Sequence, residues 1–550
     1  MKLYLLSLVA LGLVACSEDP VEQLEPGAVP PWFVDEARER GIDFVHRSGH
    51  DERYFFPELM GGGVALFDKD GDDDLDLFLV QSGSLTAPEG AAHRLYENDG
   101  SGRFVDVTSS AGITPGGYGM GAAVADYDAD GDLDLYITCV GPNRLLRNDG
   151  AGNFTDVTEE AGVGDPAWGT SATFLDVDQD GHLDLFIANY VDWSIATEKD
   201  CFDPTGQADY CSPMAYGAPS TDTLYRGNGD GTFQDVSVAM GLDASPGNGL
   251  GVVAGDFDGD GLVDLFVAND QMPDCLWLHG GEGRLVNRAE RFGCARDPHG
   301  NARAGMGVDA ADVEGDGDLD LLVVHMAREQ DGFFRNRGGG FVEETRQSGI
   351  GMGTFRRTRF GVGFHDFNND GWLDLYVANG RVNQMMPPIA EDDIYAEPNS
   401  LLAGTSDGRW EPVTPAGGTL PPVQLTSRGA AFGDIDGDGA LDVVVGNRDG
   451  RVQLLHNVSA AGRGSIVLRL MDGGRDALGA AASIQVGGGQ RRTVKPGYSY
   501  CSSSDRAVHF GVGAHSAPVE VEVCWPDGEL ETFEGIAPGR RTTLVRGEGR

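Results

Sequence analysis

The 550-residue sequence predicts an all-β protein, a seven-bladed β-propeller followed by a small β-rich domain. Three observations predict it. A nine-residue acidic cluster of the form Asp-x-Asp-x-Asp-Gly-x-x-Asp recurs seven times in register. Four short strand-like segments, separated by turn residues, surround each copy. Glycine accounts for 83 of the residues, roughly twice the usual share, which suits many tight turns.

The chain opens with Met1-Lys2 and an apolar run, Leu3 to Ala15, that is too short to span a bilayer and fits a signal-peptide core. Residues 1–15 are therefore expected to be a signal peptide. Leu13-Val14-Ala15-Cys16 resembles a bacterial lipobox, which implies a diacylglycerol on Cys16 and a membrane anchor that does not span. Residues 16–31, acidic and Pro-rich, read as a tether. Ser17 after the cysteine is similar to Gram-negative lipoproteins sorted to the outer membrane, periplasmic or surface-facing. Lys plus Arg total 40 against 87 Asp plus Glu, a net charge of −47, which excludes nucleic acid as a partner. The expected state is a monomer.

The propeller is expected over residues 32–460. Its acidic loops supply oxygen ligands at positions 1, 3, 5 and 9. They are Asp68, Asp70, Asp72 and Asp76; Asp126, Asp128, Asp130 and Asp134; Asp176, Asp178, Asp180 and Asp184; Asp256, Asp258, Asp260 and Asp264; Asp312, Glu314, Asp316 and Asp320; Asp366, Asn368, Asp370 and Asp374; and Asp434, Asp436, Asp438 and Asp442. Alternating oxygens on a tight loop suit a hard cation, Ca²⁺ best, with one ion per blade loop. Glycine at position 6 permits the reversal that returns position 9; the first loop has Asp73 there, a residue that tolerates the left-handed region. No Glu stands at position 12 and each loop runs into a strand, so these are not EF-hands. The alternative is a set of metal-free turns, in which clustered carboxylates would repel without compensation.

Five residues before each loop lie Gly63, Gly121, Ser171, Gly251, Gly307, Gly361 and Gly429, small enough for innermost strands that crowd a central axis. The seventh repeat lacks its outer Phe-x-Asp strand. Phe33-Val34-Asp35 has that form and is expected to complete blade seven, removing an open edge.

Besides Cys16, seven cysteines remain. In an exported chain the local pairs Cys201/Cys211, Cys275/Cys294 and Cys501/Cys524 are expected to be disulfides. Cys139, in an apolar strand, reads as a buried thiol.

The repeat pattern stops near Gly462, and residues 461–550 form a separate β-domain with landmarks Ala477-Leu-Gly-Ala480, Gly497-Tyr-Ser-Tyr-Cys-Ser-Ser503, His509-Phe-Gly-Val-Gly513 and Val521-Glu-Val-Cys-Trp-Pro-Asp-Gly528. The acidic loops resemble those of integrin α-chain propellers and FG-GAP/VCBS repeat proteins, and the landmarks resemble the ASPIC/UnbV domain. Together they are similar to the cartilage acidic protein and UnbV family. The resemblance implies a secreted, calcium-binding propeller with a small β-domain and carries over no catalytic residue.

The function expected is calcium-stabilised binding, adhesion or scaffolding at the cell envelope, toward an envelope or extracellular protein or an acidic glycan. The long insertions lie on the propeller face opposite the acidic loops, where Tyr118, Trp168, Arg303, Arg356, Arg357 and Arg428 are candidates for an anionic ligand. The competing reading of those arginines is pairing with neighbouring acids. The alternative function is a carbohydrate-active enzyme, a polysaccharide lyase or glycosidase at the tunnel mouth. No HExxH, GxSxG or P-loop pattern supports catalysis.

Overall fold

The computed structural model describes residues 30–87, 90–281, 283–384, 390 and 393–550. The signal peptide, Cys16 and nearly all of the tether lie outside the described residues.

Among the described residues, alternation of apolar side chains builds the propeller from seven four-stranded antiparallel sheets. In blade 1, Leu77 and Leu79 of the second strand pack toward blade 7, while Phe78 and Val80 pack toward blade 2. Second strands are thus buried on both faces, and the core is a stack of layers between blades rather than one central mass. The first strand of each blade is Val64–Phe67, Tyr118–Ala125, Gly169–Leu175, Gly249–Gly255, Gly305–Ala311, Arg359–His365 and Ser427–Gly433 in turn. Each touches the next, and Ser427–Gly433 touches Val64–Phe67, so the inner strands form a closed cycle. Phe33–Asp35 supplies the fourth strand of blade 7, pairing Phe33 with Asn457 and Asp35 with Leu455.

The small residues near the axis have a steric reason. In blades 2 to 7 the inner strand shifts register beside them. A Cβ on Gly307 would run into the Phe360 carbonyl of the next blade, and one on Gly361 would lie 2.6 Å from the Ala430 nitrogen.

The C-terminal domain pairs two sheets around Ile466, Leu468, Phe510, Val521, Val523 and Trp525. One sheet centres on Gly464–Asp472, with Arg541–Val545 joining it in parallel. The other runs Gln490–Thr493, Ala481–Ile484, Val519–Cys524, Leu530–Ile536. The domain lies over the acidic-loop face: Gly513 donates its N–H to Asn369 O, and Arg463 Nη1 donates to Asn368 O at 2.8 Å.

Its loop Tyr498–Ser504 fills the propeller axis, which the sequence did not announce. Ser499 exchanges backbone hydrogen bonds with Val308 (2.7 and 3.1 Å), Cys501 O accepts from Ala122 N, and Ser503 pairs with Val64 and Leu66. Beyond it, Tyr500 Oη donates to Met60 O at 2.8 Å, and Phe56 packs against Trp168, Tyr190 and Tyr216. The axis is closed from both ends.

This packing makes a prediction. Gly121→Ala places a methyl 2.8 Å from Cys501 Cα and is expected to cost about 1–3 kcal/mol in chemical denaturation. Gly339→Ala, with nothing within 4 Å, is expected to change little. Equal effects would remove the tight axis as the cause.

Candidate functional site

The acidic loops join first to second strands, and each is folded by its own carboxylates. The position-1 acid accepts backbone N–H groups from across the turn: Asp126 from Asp130 and Gly131, Asp176 from Asp180 and Gly181, Asp434 from Asp438 and Gly439. Position 6 is left-handed throughout; Asp73, at φ 71°, takes it as the glycines do.

The position-9 acid is buried in every loop. Its Oδ2 accepts the position-2 N–H of its own loop, as in Asp184 from Val177 (2.8 Å) and Asp374 from Phe367 (3.0 Å). In every blade but the fourth its Oδ1 accepts an N–H from the third strand, as in Asp134 from Asn148 and Asp442 from Asn457, both 2.7 Å. Burial pushes these carboxyls up, to about 7 for Asp76 and Asp184, about 8 for Asp264 and Asp320 and about 9 for Asp134.

Carboxylate oxygens of positions 1, 3 and 9 converge within 4.8 Å in the loops of blades 1, 2 and 3; in blade 4 positions 1, 3 and 5 converge. In every loop the position-5 Oδ1 also accepts the position-7 N–H, as in Asp130 from Asp132 and Asp370 from Trp372. In blade 7, His456 joins Asp436 and Asp442, a ligand-type side chain that the loop motif does not contain. Asp70, Asp128, Asp264 and Asp436 each keep a buried Oδ1 with no hydrogen-bond partner. Unpaired buried carboxylate oxygens are costly, and a hard divalent cation satisfies them. The donor sets therefore fit such an ion. Asn368 departs from the pattern: its Oδ1 accepts from Arg463.

A second set of residues went unread in the sequence. Asn98, Asn148, Asn336 and Asn457 end third strands, and each Nδ2 donates to the position-2 carbonyl of the preceding blade: Ile435, Lys69, Phe257 and Phe367. They staple neighbouring loops. The recurrence of Asn one strand downstream of the acidic cluster was the available signal.

Two disulfide expectations and most of the anionic face are corrected. Cys201–Cys211 is bonded, but Cys275, Cys294, Cys501 and Cys524 are free thiols. Cys275 and Cys294 flank a backbone bond from Asp274 to Ala295, yet their side chains enter different inter-blade clusters. Cys501 lies on the axis among inner strands, whereas Cys524 lies in the outer domain's sheet. Cys139 is buried, its thiol pushed up to about 12. Tyr118, Trp168, Arg303 and Arg428 are buried, so they cannot line an open tunnel mouth. Arg428 lies 4.0 Å over Phe360 and donates to the carbonyls of Leu59, Gly380, Ser427 and Arg381. Arg357 is half-buried and donates to Ser400 Oγ; Arg356 is exposed with no ion pair among the described residues.

The family follows from the repeats themselves. The FG-GAP-like repeat family matches residues 67–137, 133–187, 202–267, 256–323, 312–377 and 366–445, and the ASPIC and UnbV family matches 471–550. The chain belongs to the FG-GAP-like repeat family. Cartilage acidic protein 1 of Homo sapiens is 25% identical over 370 residues, 63% of this chain and 52% of the relative. That of Xenopus tropicalis is 26% identical over 329 residues, 57% and 47%. This FG-GAP chain spans about half the length of the curated relatives it matches. Among solved structures, an Agrocybe aegerita lectin recognising non-reducing terminal N-acetylglucosamine gives a TM-score of 0.36 at 16% identity, covering 71% of this chain and 87% of that one. Rhamnogalacturonan lyase YesW gives 0.37 at 12%, covering 73% and 72%.

The raised carboxyls of the FG-GAP loops give a pH prediction with a definite sign. The folded, metal-free chain holds more protons than the unfolded chain between the unfolded carboxyl value near 4 and folded values of about 6–9. Its melting temperature in chelator is therefore expected to fall as pH rises from about 5 to 8. A flat or rising profile in scanning calorimetry would refute this contribution.

Proposed function

We propose that the chain is a calcium-stabilised binding or scaffold protein of the cell envelope, anchored through a lipid on Cys16. A binding or scaffold role fits an FG-GAP array joined to an ASPIC/UnbV domain. In this reading Ca²⁺ is held by the aspartates of the acidic loops and neutralises their clustered charge. It favours the folded ring by mass action.

One observation carries the location of binding: the axis is filled by Tyr498–Ser504 and by the Phe56–Leu59 turn, which leaves the outer loops as the available surface. On the face opposite the acidic loops, the insertion between second and third strands of blade 3 is pinned by Cys201–Cys211. It exposes Ile195 (42%), Phe202 (65%) and Met214 (55%). Exposed apolar side chains on and beside the Cys201–Asp209 hairpin suit a protein partner. Arg356, with exposed Phe355 and Met352, offers an anion contact on the same face.

The test is capture from Gram-negative envelope extract by the purified chain, with Ca²⁺ or with chelator. The expected partner is retained only with Ca²⁺ and is lost on Phe202→Ser with Ile195→Ser at unchanged melting temperature. Turnover of an acidic polysaccharide by the chain, or capture indifferent to both changes, would overturn the reading.

A further inference from the structure

The loops are not equivalent, and blade 5 departs furthest. Its position-3 residue is Glu314 rather than Asp, and a cation stands inside its own blade. Arg335 comes from the third strand, Gly332–Asn336, and is buried, with its guanidinium 5.0 Å over the Phe333 ring. Its Nη1 pairs with Glu314 Oε2 and, at 2.8 Å, with Asp320 Oδ2; its Nε lies 3.6 Å from Glu344. Arg337 holds the other Glu314 oxygen at 3.1 Å.

The remaining oxygens of the loop are also engaged. Asp312 accepts N–H groups from Gly315 (2.7 Å), Asp316 (3.1 Å) and Gly317 (2.9 Å), and Asp320 Oδ1 accepts from Asn336 (2.8 Å). Positions 1, 3 and 9 thus keep no unpaired carboxylate oxygen. The loops of blades 1, 2, 4 and 7 each keep one. Lys69 in blade 1 illustrates the difference: it pairs with Asp70 Oδ2 at 2.5 Å but leaves Asp70 Oδ1 buried and unpaired.

We propose that blade 5 carries a metal-free loop in which the Arg335 guanidinium stands where loops such as those of blades 1, 2 and 4 take a divalent cation. The extra methylene of Glu314 reaches the guanidinium, and one bidentate-capable, permanently charged group answers both the position-3 and position-9 acids. A metal would have to displace a buried, paired arginine and leave it unpaired, a cost of the kind that disfavours exchange. Access does not explain exclusion, because a cleft of about 420 Å³ runs past Glu314, Arg335 and Trp372. The inference rests on the calcium reading above and deepens it: the array takes fewer ions than it has loops.

The test is the number of Ca²⁺ ions per full-length chain, by elemental analysis after dialysis and by calorimetric titration. Asp128→Asn in blade 2, at one of the converging carboxylates, is expected to lower the count by one. Asp316→Asn, an exposed position in blade 5, is expected to leave it unchanged. Arg335→Met with Glu314→Asp is expected to raise it by one. Loss of one ion in Asp316→Asn, or an unchanged count in folded Arg335→Met/Glu314→Asp, overturns the inference and leaves the calcium reading standing. A wild-type chain that binds no ion overturns the calcium reading and the inference with it.

Discussion

The interaction on which the structure turns is the buried aspartate that ends each acidic loop. This carboxylate holds the loop's second residue and, in every blade but the fourth, the third strand, and in blades 1, 2 and 3 it also faces the neighbouring acids. It therefore joins loop, sheet and charge cluster at one point. A buried anion among other anions is unfavourable by itself. The fold answers it with backbone donors everywhere, with the cations Lys69 and Arg335 in blades 1 and 5, and with the His456 imidazole in blade 7. The inter-blade asparagines depend on the same geometry, because they donate to the carbonyl of the residue whose N–H the aspartate holds.

The second constraint is the axis. Seven inner strands leave a space lined by glycine and serine, and the C-terminal loop fills it with main chain, with Ser499, Cys501 and Ser502, and with the Tyr500 ring. Gly63 and Gly121 meet Cys501 there, and Gly429 meets Ser502. Small residues that look sufficient for strand crowding alone also make room for this loop. The C-terminal domain is consequently part of the propeller's core, and Lys495 ties it further to buried Asp309 at 2.5 Å.

The repeats were legible because a periodic motif states a periodic structure. Loop positions, small axial residues and the borrowed strand Phe33–Asp35 all follow from comparing repeats with one another. What was hidden lies between repeats or outside them. Arg335 belongs to a third strand some 15 residues from Asp320, so its role needs the strand register, Leu321 opposite Phe334. The filling of the axis joins residues more than 300 apart, such as Cys501 and Ser171. Tyr118 and Arg428 were placed on the correct face, but only the packed insertions decide that they are covered. Cysteine spacing misled for the same reason: nearness in sequence does not fix which side of a blade a thiol faces.

Charge distribution then links the two parts. The C-terminal 90 residues hold 11 Lys and Arg against 10 Asp and Glu, in a chain of net charge −47. Their basic side chains lie against the acidic-loop face: Arg463 on Asn368, Arg475 on Gly181 O, Arg492 near Asp366 and Asp312, and Arg506 near Asp126. Any cation bound in a loop changes the field that these arginines feel, and their docking changes the field that the cation feels. Arg492 and Arg506 face the carboxylates that a loop cation would also face, so an ion bound there and the seating of the domain would be coupled by electrostatics, each altering the free energy of the other in equal measure.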